Sequence, residues 1–96
     1  MRMPTSKPQR DLYELFAAVD SPKEAKIFLE DILTPSELDS MVMRWQIIKG
    51  LHKGETQREL AKRLGISISK VTRGSRMLKY GSGGFMHFLK KFNIKK

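Results

Sequence analysis

Between Thr56 and Lys79 the chain reads TQRELAKRLGISISKVTRGSRMLK, and no other stretch constrains the fold as much. Thr56 is placed to cap a helix, and Glu59 three residues on completes a capping box. Leu60, Ala61 and Leu64 recur at helical spacing and give that helix one apolar side. Gly65 ends it, because glycine enters the left-handed region without steric cost. Ile66 plugs the corner, and Ser67 caps a second helix that turns Val71, Gly74 and Leu78 inward. The small Ala61 lets the two helices approach closely near their crossing. This is a helix-turn-helix at 56–79, the arrangement whose second helix enters the major groove of DNA. The competing reading is a helical hairpin that only builds a core, and the placement of charge argues against it.

The net charge is +9, and its distribution matters more than its size. Residues 1–10 carry three bases and no acid, whereas residues 11–40 carry eight acids against two bases. Residues 41–96 then carry fourteen bases against two acids. Basic charge gathered around and beyond a helix-turn-helix is the footprint of a phosphate-backbone binder. A merely soluble surface intersperses the signs. Double-stranded DNA is the expected partner.

Ninety-six residues suggest one small domain, whose core is adequate but not generous. The absence of cysteine excludes disulfide frameworks and thiolate metal sites, and fits a cytoplasmic setting. No apolar run approaches a membrane span, and MRMPTSKPQR lacks the apolar centre of a secretory signal.

Residues 1–9, with Thr5, Ser6 and two prolines, read as a flexible basic arm, either a plain tail or a groove-inserting one. Residues 10–96 read as a single helical domain. From about Gln9 to Val19, Leu12, Leu15, Phe16 and Val19 mark an amphipathic helix. Ser21-Pro22-Lys23-Glu24 starts a second, reaching about Leu33, and Thr34-Pro35-Ser36-Glu37 starts a third over about 35–52. Leu38, Met41, Val42, Trp45, Ile48 and Leu51 are expected along one face of that third helix. A GSGG loop at 81–84 precedes a short aromatic helix with Phe85, Met86, Phe88, Leu89 and Phe92. The class is all-α, with six helices. So many apolar helix faces around so small a unit suggest two interlocked copies, a homodimer.

Leu33-Thr34-Pro35, Arg44, Gly54-Glu55, Gln57-Arg58-Glu59-Leu60, Leu64-Gly65 and the run Ile68 to Leu78 with Thr72-Arg73-Gly74-Ser75 resemble the Trp repressor superfamily. The likeness covers about residues 10–92 and is nearest to the YerC/YecD-type branch. It implies a six-helix, intertwined homodimer that presents two recognition helices to a palindromic operator in a bacterial cytoplasm. It also implies an amino-acid corepressor pocket, whose motif positions are held here by Thr34, Arg44, Arg73 and Gly74. Guanidinium groups suit that task, since each pairs with a carboxylate in two places and stacks on an indole face. Met77 departs from the pattern: corepressor-binding members have a serine there that faces the ligand amino group. Lys70 replaces a small polar residue in the same region, and one residue fewer separates Gly54 from Gln57. Each hydrogen-bond partner lost to a buried ammonium group costs on the order of 1–3 kcal/mol, which argues against tryptophan as the effector.

From the residues alone, Thr34 is explained by capping, and Arg44 and Arg73 read equally as solvated surface charges. Trp45 reads as core or subunit interface. His52 and His87 stand apart from any ligand cluster, so neither a metal site nor a catalytic one is expected, and the chain reads as no enzyme. For DNA, Ile68, Ser69, Lys70, Thr72, Arg73 and Arg76 lie on the outer and leading faces of the second helix. Ser69 and Thr72 can bond to bases or phosphates, and Ile68 can touch a thymine methyl. Gln57 and Arg58, at the start of the preceding helix, suit phosphate oxygens. The expected activity is sequence-specific transcriptional regulation, repression being the expected sense, with no cofactor and either with or without a small-molecule, amino-acid-like effector. The alternatives are a replication or nucleoid module and a protein-interaction adaptor that has lost DNA binding.

Overall fold

The computed structural model describes residues 5–94. Among the described residues it holds six α-helices and no strand. They are α1 (Lys7–Ala18), α2 (Pro22–Ile32), α3 (Pro35–His52), α4 (Gln57–Leu64), α5 (Ile68–Tyr80) and α6 (Gly84–Lys91). The chain divides into two compact units, and the break falls between Leu38 and Asp39 inside α3. No described helix is long and apolar enough to cross a membrane.

In the first unit, α1 begins earlier than its apolar periodicity suggests. The Ser6 hydroxyl accepts from the Gln9 N–H at 3.2 Å, and the Ser6 N–H donates to Gln9 Oε1 at 2.9 Å. Ser6 to Gln9 is therefore a capped helix entry rather than part of an arm. Pro8 sits in the first turn, where a missing N–H costs nothing. The remainder of the expected arm, residues 1–4, lies outside the described residues. Ser21 caps α2 by accepting from the Glu24 N–H at 3.1 Å, and Pro22 opens the helix. Phe16 and Phe28 meet edge to face at 4.9 Å. Neither α1 nor α2 buries a residue, and Leu12, Leu15, Phe16 and Ile27 remain exposed.

The second unit holds the core. Ile47, Leu60, Ala61 and Val71, from α3, α4 and α5, form one buried cluster, with Met43, Leu51, Leu64 and Ile66 packed against it. Ile48 and Leu89 are also fully buried. The single stripe expected on α3 needs correction. Ile47, which that stripe omits, is a central core residue, while Met41 and Val42 stay exposed. The reason is that α3 is apolar on several sides, so periodicity alone picks no unique face.

Where α5 crosses α3, the side chain of Ile47 leaves no space beside Gly74. A Cβ built on Gly74 would sit 2.5 Å from Ile47 Cγ2. Farther along, His52 Nε2 lies 2.9 Å from the Ile94 carbonyl and donates to it, which ties the end of α3 to the chain beyond α6. Trp45 stacks near Phe85 and tilts against Phe92, each with centroids 6.4 Å apart. These rings, with Met77 and Phe88, border an apolar cavity of about 500 Å³.

Candidate nucleic-acid interface

Two capping devices build the helix-turn-helix. The Thr56 hydroxyl accepts from the Glu59 N–H at 3.1 Å, and Glu59 Oε1 accepts from the Thr56 N–H at 3.0 Å. At the other end Gly65 takes φ 67° and ψ 36°, the left-handed conformation expected of it. The Ile66 N–H then bonds the Ala61 carbonyl at 3.0 Å, which fixes the corner. Ser67 starts α5 by accepting from the Lys70 N–H at 3.3 Å. The helix-turn-helix at 56–79 forms as the sequence implies.

With Val71 and Gly74 buried, α5 turns the opposite face outward. Ile68, Ser69, Lys70, Arg73, Arg76 and Lys79 are exposed along it, and Thr72 is half-buried. The segment from Ile68 to Tyr80 contains no acid. Residues 41–96 hold only Glu55 and Glu59 as carboxylate side chains, and both are occupied elsewhere. Glu59 belongs to the Thr56 cap, whose backbone N–H and hydroxyl hold its carboxyl below the usual value. Glu55 receives a two-point guanidinium contact from Arg63, at 2.9 Å and 2.6 Å. That contact holds the Glu55 carboxyl down and raises Arg63. No ion pair among the described residues involves Lys70, Arg73 or Arg76. The helix thus presents uncompensated positive charge.

The structure sorts the sequence-derived contacts into three groups. Ile68, Ser69, Lys70, Arg73 and Arg76 lie open on α5, and Arg58 lies open on the first turn of α4. Gln57 and Thr72 are half-buried and bonded to each other: Thr72 Oγ1 donates to Gln57 Oε1 at 2.7 Å. Part of the third group lines a groove of about 140 Å³ between α3 and α5, where Arg44, Arg73, Gly74 and Met77 converge with Lys70. Thr34 is not among the groove's lining residues; it caps α3 in a reciprocal box with Glu37, at 2.8 Å and 3.2 Å. The Thr34 N–H and hydroxyl also hold the Glu37 carboxyl below its usual value.

Sequence reasoning missed Ser40 and Met43, which line the same groove. A signal for them was present. The lining residues fall at 40, 43, 44 and 47 on α3 and at 70, 73, 74 and 77 on α5. Both rows have the spacing of one helical face, so they form two ridges across one groove. The groove gathers three cations and two thioethers and no carboxylate. Among the described residues no cluster of three His, Asp or Glu side chains forms that could hold a metal.

Residues 9–93 match the family model described as Trp repressor protein. A Trp operon repressor homolog of Chlamydia caviae is 38% identical over 86 residues, covering 88% of this chain and 85% of that protein. A Trp operon repressor homolog of Xylella fastidiosa is 37% identical over 81 residues, covering 83% of this chain and 86% of its own length. Among solved structures, a TrpR like protein from Eubacterium eligens superposes with a TM-score of 0.87. It is 24% identical and the match covers 95% of this chain and 94% of that one, a likeness of fold.

Proposed function

Because the chain belongs to the Trp repressor protein family, we propose that it is a non-catalytic, double-stranded-DNA-binding transcription regulator, a repressor that acts in the cytoplasm. It binds palindromic operators as a homodimer. The observation that carries this reading is the outward face of α5, where Lys70, Arg73 and Arg76 stand without acidic partners beside a capped turn. Such a face neutralises backbone phosphates, while Ile68 and Ser69 in the first turn suit base edges.

The homodimer is supported by apolar surface left open. Leu15, Phe16, Ile27, Phe88 and Phe92 are all exposed in one copy, and a second copy covers them. The acidic balance of residues 11–40 and the basic balance of 41–96 favour pairing between copies. The groove between α3 and α5 serves as the effector site. Its Arg44, Lys70 and Arg73 suit an anionic ligand, whereas Met77 offers an ammonium group no hydrogen bond. Tryptophan is poorly matched to it.

In-vitro selection of bound duplexes, run with and without an amino-acid pool, tests the reading. The expected result is a small set of enriched palindromes. Enrichment of scattered, asymmetric sequences would assign the chain to nucleoid or replication work instead. Failure to bind any duplex at low salt would leave a protein-interaction adaptor.

A further inference from the structure

The bond from Thr72 to Gln57 joins the middle of α5 to the first residue of α4, and it changes what each side chain can offer a ligand. A free glutamine amide turns either its carbonyl or its NH2 group outward. Here Oε1 is engaged by the Thr72 hydroxyl at 2.7 Å in a half-buried setting. The end left available is Nε2, with its N–H donors. Gln57 is also the first residue of α4, where unpaired backbone N–H groups and the helix dipole favour negative charge. A donor held at a helix start is matched to an anionic oxygen, and the reversed amide would present a carbonyl oxygen to that anion.

We infer that Thr72 is a positioning residue: its hydroxyl holds the Gln57 amide with the NH2 group outward, so that Gln57 donates to a backbone phosphate oxygen of the bound duplex. Thr72 then reads no base itself. Its influence on affinity passes through Gln57 and is independent of sequence. The inference rests on the DNA-binding reading above.

A double-mutant cycle on a selected duplex and on a random duplex tests it, using Thr72→Val, Gln57→Ala and the pair. Thr72→Val keeps the side-chain shape and removes only the hydroxyl. It should weaken both duplexes by the same factor, about 5- to 10-fold, as expected for one lost hydrogen bond. The double variant should bind no worse than Gln57→Ala alone, and Thr72→Ser should restore binding. In the DNA-free protein, the Gln57 side-chain NH2 resonances should move in Thr72→Val and return in Thr72→Ser. Gln57→Glu keeps an acceptor for Thr72 but puts an oxygen outward, so it should bind at least as weakly as Gln57→Ala. If Thr72→Val does not fold, Gln57→Glu decides: binding at the wild-type level overturns the inference. Losses that multiply in the double variant, or a Thr72→Val loss confined to the selected duplex, also overturn it while leaving the regulator reading intact. A wild-type chain that binds no duplex overturns both.

Discussion

The helix pair α1–α2 and the helix pair α4–α5 begin with the same chemistry and end in different states. Ser6, Ser21, Thr56 and Ser67 all cap a helix through a hydroxyl that accepts a backbone N–H. Yet α4 and α5 bury Leu60, Ala61, Val71 and Gly74, whereas α1 and α2 bury nothing. Capping sets where a helix starts, and burial depends on what the apolar side meets. The α4–α5 pair meets Ile47 of α3 in the buried cluster. The α1–α2 pair meets itself at Phe16 and Phe28 and leaves Leu12, Leu15 and Ile27 open. One pair buries its apolar side within a single chain, and the other leaves its apolar side exposed there.

The sharpest break in this contrast comes from truncating an apolar residue in each pair. Leu60→Ala, at a fully buried position, should lower stability by about 2–5 kcal/mol in chemical denaturation. Leu15→Ala should cost under about 1 kcal/mol in dilute monomer, and more as concentration rises if a second copy covers it. Equal losses at both sites in dilute solution would remove the distinction. Next in size is Gly74→Ala. The new methyl meets the buried, β-branched Ile47, which has little freedom to yield, so a loss of about 1–3 kcal/mol is expected in thermal melts.

Removal of caps sharpens the comparison further. Thr56→Ala should cost about 1 kcal/mol and appear in the unfolding of the buried cluster. Ser21→Ala removes a cap of the same kind, but it should fray α2, detected as faster amide exchange there with little change in the main transition. The smallest effect is in pH. Glu59 and Glu55 both have carboxyls held below the ordinary value of 4.5, by the Thr56 N–H and by Arg63 respectively. A lowered folded value stabilises the native chain above the unfolded one, and the gain disappears as pH falls through the folded value. Stability of α4 and α5 should therefore be flat above about pH 4.5 and decline below it, with Glu59→Gln weakening that decline.

Helix starts were legible because each is encoded by residues three apart. Thr34 with Glu37 and Thr56 with Glu59 appear as read, whereas Ser21 accepts from the Glu24 N–H without the reciprocal side-chain bond that a full box would add. Ser6 with Gln9 carries the same signal, but two prolines and two bases around it read as a tail. Ile47 was harder, since α3 has apolar residues on several sides and only the approach of α5 selects among them. In the interface, exposure of Lys70 and Arg76 followed from period and charge. The Thr72–Gln57 bond did not, because it joins side chains fifteen residues apart across a turn whose angle no local pattern specifies. The matched ridges of the groove could have been read from spacing, once α3 and α5 were set side by side.

The absence of slack between Gly74 and Ile47 has a mechanical meaning. Two rods in hard contact at a single point can pivot there but cannot be pressed closer together. Any load on the outer surface of α5 is therefore passed directly onto the shaft of α3. The groove beside that contact, lined by Arg44 and Arg73, marks where the two shafts stand farther apart.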